Sequence, residues 1–163
     1  MKKDSKTVPV LLALMLICLV LLSACGQADI SSYAKQEITV SGLTEEDFTV
    51  TPAELLEMDC VKRTDTGRSE KAGTVTAYGP LLSTFVETYG VSVEDLDRVR
   101  FFCKDEYKVV LKKEYLTDYE IVLAASGGSK ALPEEQQPLR LLIPEAESSK
   151  WAYGITRMEF VLK

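Results

Sequence analysis

The chain has 163 residues, with 25 acidic side chains against 19 basic ones, a formal charge of −6, and no histidine. The missing histidine excludes a Ser-His-Asp or Cys-His catalytic set and any His-containing zinc site. The acidic balance opposes a nucleic-acid partner, because counterion release needs clustered Lys and Arg.

The chain opens with Lys2, Lys3 and Lys6, followed by an uncharged apolar run from Val8 to Ala24. That run is 17 residues long, shorter than the ~20 of a spanning helix, and no basic stop follows it. It closes with Leu22-Ser23-Ala24-Cys25. A basic start, a short apolar segment and small residues at the exit predict a secretory signal peptide over residues 1–24. A short transmembrane anchor with an incidental cysteine is the alternative. With cysteine first after the cut, the pattern resembles the bacterial lipobox. The resemblance implies cleavage before Cys25, a diacylglyceryl group of palmitate type on its thiol, and a protein held on the extracytoplasmic face of a bacterial membrane. Gly26 carries no sign of an inner-membrane retention residue, and the envelope type stays open.

Cleavage leaves 139 residues with 16 basic and 24 acidic side chains, a formal −8. That is one ordinary domain. The charge also argues against a polybasic membrane patch, leaving adhesion to the lipid, and two or more acyl chains hold a protein stably.

Cys25 to Lys35 reads as a small, polar tether, which places the domain at 36–163. Glu37 to Gly42 and Phe48 to Val50 read as strands. Thr51-Pro52-Ala53-Glu54 then starts a short helix, with Thr51 as cap, Pro52 at the first position and Glu54 completing a capping box. A strand from Cys60 to Thr64 runs into a polar loop reaching Ala72, and Thr74 to Tyr78 is rich in β-formers. Gly79-Pro80 is expected to open a second helix, with Leu81, Leu82, Phe85, Val86 and Tyr89 at helical spacing and Gly90 as its stop. Ser92 and Asp95 suggest another cap. Arg98 to Cys103 and Tyr107 to Leu111 form a hairpin across Lys104-Asp105-Glu106. Ile121 to Ala125 is continuously apolar and is expected to be central. Leu139 to Ile143 is similar but for Arg140, and the last segment alternates Met158, Phe160 and Leu162 with charged residues. Strands outnumber helices without regular alternation, so the fold class is α+β, a β-rich single domain with a mixed or antiparallel sheet and a few short helices.

Of the four cysteines, Cys18 leaves with the signal and Cys25 is the lipid site. Cys60 and Cys103 sit at strand ends in an oxidising compartment, where a disulfide could persist. Two ordinary half-buried thiols are the preferred alternative. Gly127-Gly128 reads as a turn, and Glu45-Glu46-Asp47 and Glu134-Glu135 read as solvated faces.

The order of these pieces resembles the molybdopterin-binding domain of the sulfite oxidase family. The matching pieces are Ser41-Gly42-Leu43 after the first strand, "LLEM" at Leu55, "YGPLLSTFVETYGV", "KDEYKVVL", "IVLAASGGSKAL", "QPLRLLIPE", and the close from Trp151 through Ile155 to Phe160. The resemblance implies a sulfite oxidase-type fold and, in active members, a molybdenum held by pterin dithiolene sulfurs and one protein cysteine, a soft ligand for a soft metal. That cysteine is expected at about Thr64 to Arg68, where the chain has Thr, Asp, Thr, Gly and Arg. Cys60 lies some six residues too early. The resemblance also assigns Arg140, and less firmly Lys150, to a pterin phosphate, since a planar guanidinium binds two oxygens at once. The bland alternative for Arg140 is a carboxylate pair or a side chain snorkelling at the sheet edge.

Exported members of the family generally leave folded on a twin-arginine signal, whereas the first arginine here is Arg63. The lysine-led signal implies unfolded passage, which cannot carry a bound cofactor. The favoured reading is therefore a lipid-anchored binding or accessory module that keeps the fold without the metal chemistry. It would take a small anionic ligand or a protein partner in the cleft, with no cofactor and no metal expected. The alternative is an active molybdopterin-dependent, sulfite oxidase-like oxidoreductase with Cys60 as metal ligand. A surface spacer without a ligand is the third reading.

Overall fold

A computed structural model describes residues 28–67 and 73–163. The expected signal peptide, Cys25 and Arg68 lie outside the described residues. Strand β1 (Ile38–Ser41) turns back into β2 (Phe48–Val50), which leads directly into helix α1 (Pro52–Leu56). The expected capping box forms there. Thr51 Oγ1 accepts the Glu54 N–H at 3.3 Å and Glu54 Oε2 accepts the Thr51 N–H at 2.7 Å, satisfying two end donors reciprocally.

Strands β3 (Cys60–Thr66) and β4 (Thr74–Pro80) form an antiparallel ribbon. Helix α2 (Leu82–Glu87) follows, and then a 3-10 turn, Val93–Asp95, with Ser92 and Asp95 as its capping box. Strand β5 (Leu96–Cys103) pairs with β6 (Lys108–Lys112) in the expected hairpin. Helix α3 (Lys113–Asp118) leads to β7 (Val122–Ala124), which pairs with β8 (Arg140–Leu142), and β9 (Ile155–Leu162) closes the chain.

The main sheet has the order β2-β1-β9-β5-β6. It is antiparallel except where β1 and β9 run parallel, so it is mixed, as expected. Its inner face carries Ile38, Val40, Val99, Phe101, Met158 and Phe160, all within one core cluster with Leu82, Phe85, Leu123 and Leu141. The β3–β4 ribbon joins β7 through Tyr78, whose N–H donates to the Ser126 carbonyl at 2.8 Å. The Tyr78 carbonyl in turn accepts from Ala125 and Ser126. Two glycines are required by close approach. A Cβ at Gly42 (φ +84°) would sit 2.0 Å from the Phe160 carbonyl oxygen, and one at Gly79 1.9 Å from that of Leu123.

Four expectations are corrected. The tether does not extend to Lys35, because Tyr33 is fully buried and its hydroxyl bridges the Ala125 carbonyl and the Leu132 N–H. Gly79-Pro80 ends strand β4 rather than opening a helix, since Gly79 pairs with Val61 and Pro80 with Cys60. Ile121 to Ala125 is wholly buried, yet it belongs to the small β7–β8 ladder and not to the centre of the main sheet. The strand after Cys60 runs two residues further, to Thr66. There the hydroxyls of Thr64 and Thr76 (2.9 Å) and of Thr66 and Thr74 (3.0 Å) bond across the ladder. Helix α3 is an addition. It has no side-chain cap and buries only Leu116, so its sequence carries little helical signal.

Candidate anion-binding cleft

Residues directly opposite each other on an antiparallel ladder share a face. Lys62 opposes Tyr78, Thr64 opposes Thr76, and Thr66 opposes Thr74. This polar face of the ribbon forms one wall of a cleft of about 520 Å³. The loop from Gly127 to Pro133 forms the second wall, and Gln136 and Arg140 close it. Lys62, Lys130 and Arg140 line the space together with the hydroxyls of Thr74, Thr76 and Ser129, and no carboxylate does. Three cations thus converge in a chain whose overall charge is negative. The Lys62 side chain lies along Gly128, where a Cβ would come within 3.2 Å of Lys62 Cε.

Arg140 is the unusual member. It is 7 % exposed, at the start of the buried β8. Nη1 donates to Gln136 Oε1 at 2.6 Å, while the buried Nε has no hydrogen-bond partner among the described residues. Burial pulls its pKa below the ordinary guanidinium value, opposed in part by Tyr153. Neither bland alternative holds, since no described carboxylate pairs with it and it does not reach open solvent. A buried donor left unmade costs about 1–3 kcal/mol, and a charged one more.

The other sequence-predicted residues do not join it. Lys150 ends a 3-10 turn (Ser148–Lys150) with its ammonium 5.8 Å from the centre of the Tyr115 ring, and it does not line the cleft. Cys60 has the same parity on β3 as Lys62 but lies two residues before it. Its thiol points to the Leu55 carbonyl at 3.5 Å. Burial, and then the neighbouring Asp59 charge, push that thiol's pKa up, the wrong direction for a thiolate ligand. Cys103 is buried at the end of β5, with a pKa raised to about 11 by burial and by Asp105. The disulfide considered between them does not form. Both thiols are free, on strands of separate sheets.

Lys62, Lys130, Gln136 and the Thr74/Thr76 pair were not singled out from the sequence. The alternation Thr74-Val75-Thr76 carried a signal for a polar strand face, but what that face meets is set by the loop from Gly127.

The observed architecture is the mixed, β-rich α+β domain of sulfite oxidase type implied by the order of its pieces. Among solved structures the chain is similar to the sulfane dehydrogenase SoxCD from Paracoccus pantotrophus, with a TM-score of 0.63 and 19 % identity. The match covers 80 % of this chain and 39 % of that one, so the chain spans well under half of its neighbour's length. At this identity the likeness establishes the fold. No family model matches the chain, and a search of curated proteins finds no match.

A molybdopterin group is tested by the donors present. Its phosphate would meet Arg140, Lys62 and Lys130, and this part fits. Its metal would need a thiolate on the cleft face of β3 or just beyond, where Thr64 and Thr66 stand, and no cysteine lines the cleft. The metal half therefore does not fit, and no step is derived through it.

Proposed function

We propose that the chain is a lipoprotein, lipidated at Cys25 on the extracytoplasmic face of the membrane, in which a sulfite oxidase-type fold serves as a binding module for a small anion. The observation that carries this reading is Arg140, a buried cation with an unpartnered Nε on the wall of a cleft that also holds Lys62 and Lys130. The Gln136 amide fixes one arm of the guanidinium on the cleft wall. Lys62 and Lys130 supply mobile charge at the mouth, and the Thr74, Thr76 and Ser129 hydroxyls can donate to the remaining oxygens. Charge-assisted hydrogen bonds of this kind contribute about 1.5–3 kcal/mol each.

Thermal denaturation in the presence of inorganic phosphate, a phosphomonoester and sulfate tests the reading. A ligand at 100 times its Kd stabilises by about 2.7 kcal/mol. The shift should vanish in Arg140→Gln and shrink in Lys62→Gln and Lys130→Gln, whose exposed positions leave folding intact. An undiminished shift in all three variants would refute the cleft. Molybdenum retained by protein purified from its own host, and lost on Cys60→Ser, would instead establish the oxidoreductase.

A further inference from the structure

The chain enters the domain beside the cleft. Ala28 and Ile30, at the start of the described residues, line a groove of about 310 Å³ with Tyr78, Ser126 and Gly128. Tyr33 then fastens this segment to the loop that walls the cleft, donating its hydroxyl to the Ala125 carbonyl and accepting the Leu132 N–H. Leu132 itself lines the cleft. Groove and cleft meet at Lys62, which stands opposite Tyr78 on the β3–β4 ladder. A Cβ on Gly128 would lie 3.2 Å from Lys62 Cε and 3.6 Å from its Nζ.

The two spaces differ in character. Ile30, Ala53, Leu56 and Tyr78 give the groove a half-buried, largely apolar lining, with Glu57 the one acid among the described residues that line it. The cleft beyond carries exposed Lys62, Ser129 and Lys130 above buried Arg140, and no carboxylate. A tyrosine and aliphatic side chains set beside exposed lysines suit a membrane interface, where apolar bodies sink inward and polar tips stay wet.

We propose that the anion taken by the cleft is a phosphate monoester carried by a lipid of the anchoring membrane. The inference rests on the reading of the cleft as an anion site and on lipidation at Cys25, and it names the source of the anion. Ala28 follows Cys25 by three positions, a reach of at most about 11 Å. With the diacylglyceryl group in the bilayer, the groove that Ala28 lines is held beside the headgroup layer, and the cleft adjoins that groove at Lys62. An acidic chain is repelled by an anionic surface. It approaches one best through the side where Lys62, Lys130 and Arg140 gather without a lining carboxylate. Each lysine or arginine near such a surface contributes about 1 kcal/mol. The three acceptor oxygens of a phosphate monoester are matched by these cations and by the hydroxyls of Thr74, Thr76 and Ser129.

The test uses the lipidated protein in vesicles of phosphatidylcholine, alone or doped with phosphatidic acid. Lysine acetylation is followed site by site by mass spectrometry. Lys62 and Lys130 should label roughly fivefold more slowly with phosphatidic acid, while Lys108 and Lys112, exposed on β6, serve as references. Protection of Lys130 should fall in Lys62→Gln, an exposed substitution, and in Arg140→Gln if its melt stays cooperative. Equal slowing of all four lysines would overturn the proposal, since it marks adhesion without a site. Glycerol 3-phosphate, added to the plain vesicles at the same total phosphate, supplies the group free in solution and should protect far less. Equal or greater protection by the soluble ester would overturn the lipid source and leave the cleft an anion site. Protection by neither would remove the cleft reading as well. Intact mass of the same sample reports the lipid on Cys25, and an unmodified cysteine would overturn the premise of the anchor separately.

Discussion

Replacing Tyr33 by Phe tests whether the residues before β1 belong to the folded domain. The ring would stay in place, but the hydroxyl that donates to Ala125 at 2.9 Å and accepts from Leu132 at 3.0 Å would be lost. Both backbone groups are buried, and no solvent replaces the oxygen. Leaving a buried N–H and carbonyl unmade costs about 2–3 kcal/mol together. For a domain of this size that corresponds to a fall of roughly 6–12 °C in Tm. Tyr33→Ala adds a cavity of the kind that costs about 3–5 kcal/mol, a large share of the ~5–15 kcal/mol available to a domain.

The phenol also predicts a pH signature. Burial raises the Tyr33 pKa above its ordinary 10.0. A raised folded-state pKa means that the neutral form is favoured by folding. The associated stability is complete below pH 10 and is lost as pH rises through the folded value. Tyr33→Phe should lack that part of the alkaline loss. Thermal melts by circular dichroism, with urea titrations to check that the slope is unchanged, measure both effects. If Tyr33→Phe shifted Tm by less than about 2 °C, and deletion of residues 26–35 left Tm unchanged, the segment would be a tether and the buried role of Tyr33 wrong.

Three further outcomes follow from the packing. Gly79→Ala should cost about 3 kcal/mol or prevent folding, because the new Cβ meets the Leu123 carbonyl oxygen at 1.9 Å and its carbon at 2.9 Å, both backbone atoms. A wild-type urea midpoint in that variant would contradict the close approach of β4 to β7. Cys103, with its pKa near 11, should resist a thiol reagent at pH 8 until the protein unfolds. Because its folded pKa is raised from 9.0, stability should fall between about pH 9 and 11, and Cys103→Ala should flatten that decline. Glu120→Gln removes the charge and one of the two acceptors from the two-pronged contact with Arg63, at 2.8 and 3.0 Å. Both partners are well exposed, so its Tm change should be smaller than that of Tyr33→Phe.

Features whose physics is local were legible in the sequence. The capping boxes at Thr51/Glu54 and Ser92/Asp95 need only three neighbouring residues, and both form as read. The hairpin from Arg98 to Leu111 has its turn residues between two alternating runs, and it too pairs as expected. What failed depended on distant partners. Gly79-Pro80 looks like a helix entry until Val61 and Cys60 are seen to pair with it. Tyr33 sits among small polar residues, and nothing nearby announces that Ala125 and Leu132, more than 90 positions away, receive its hydroxyl. The apolar run at Ile121 was rightly read as buried. Its sheet could not be inferred, because burial on both faces arises in a large sheet and in a short ladder alike.

Arg140 was singled out by its place in a resemblance, but its chemistry depends on what surrounds it. An arginine in an apolar strand is ordinarily explained by a carboxylate, and this one has a neutral amide instead. Its isolation is informative because the chain is rich in acid. Twenty-five carboxylates in the sequence leave ample choice of a partner, yet the cleft wall carries none. The same fold offers Thr64 and Thr66 where a metal would need sulfur, and it turns the Cys60 thiol toward a backbone carbonyl. Placing a sulfur there with Thr66→Cys would therefore create a metal site only if the anion half is shaped for the pterin. That variant separates loss of a single ligand from divergence of the whole cleft. Loaded with cofactor during cytoplasmic expression, a Thr66→Cys protein that acquired molybdenum would show a site one residue short of its metal. A protein that stayed empty while its phosphate-induced Tm shift persisted would show a cleft committed to a different anion.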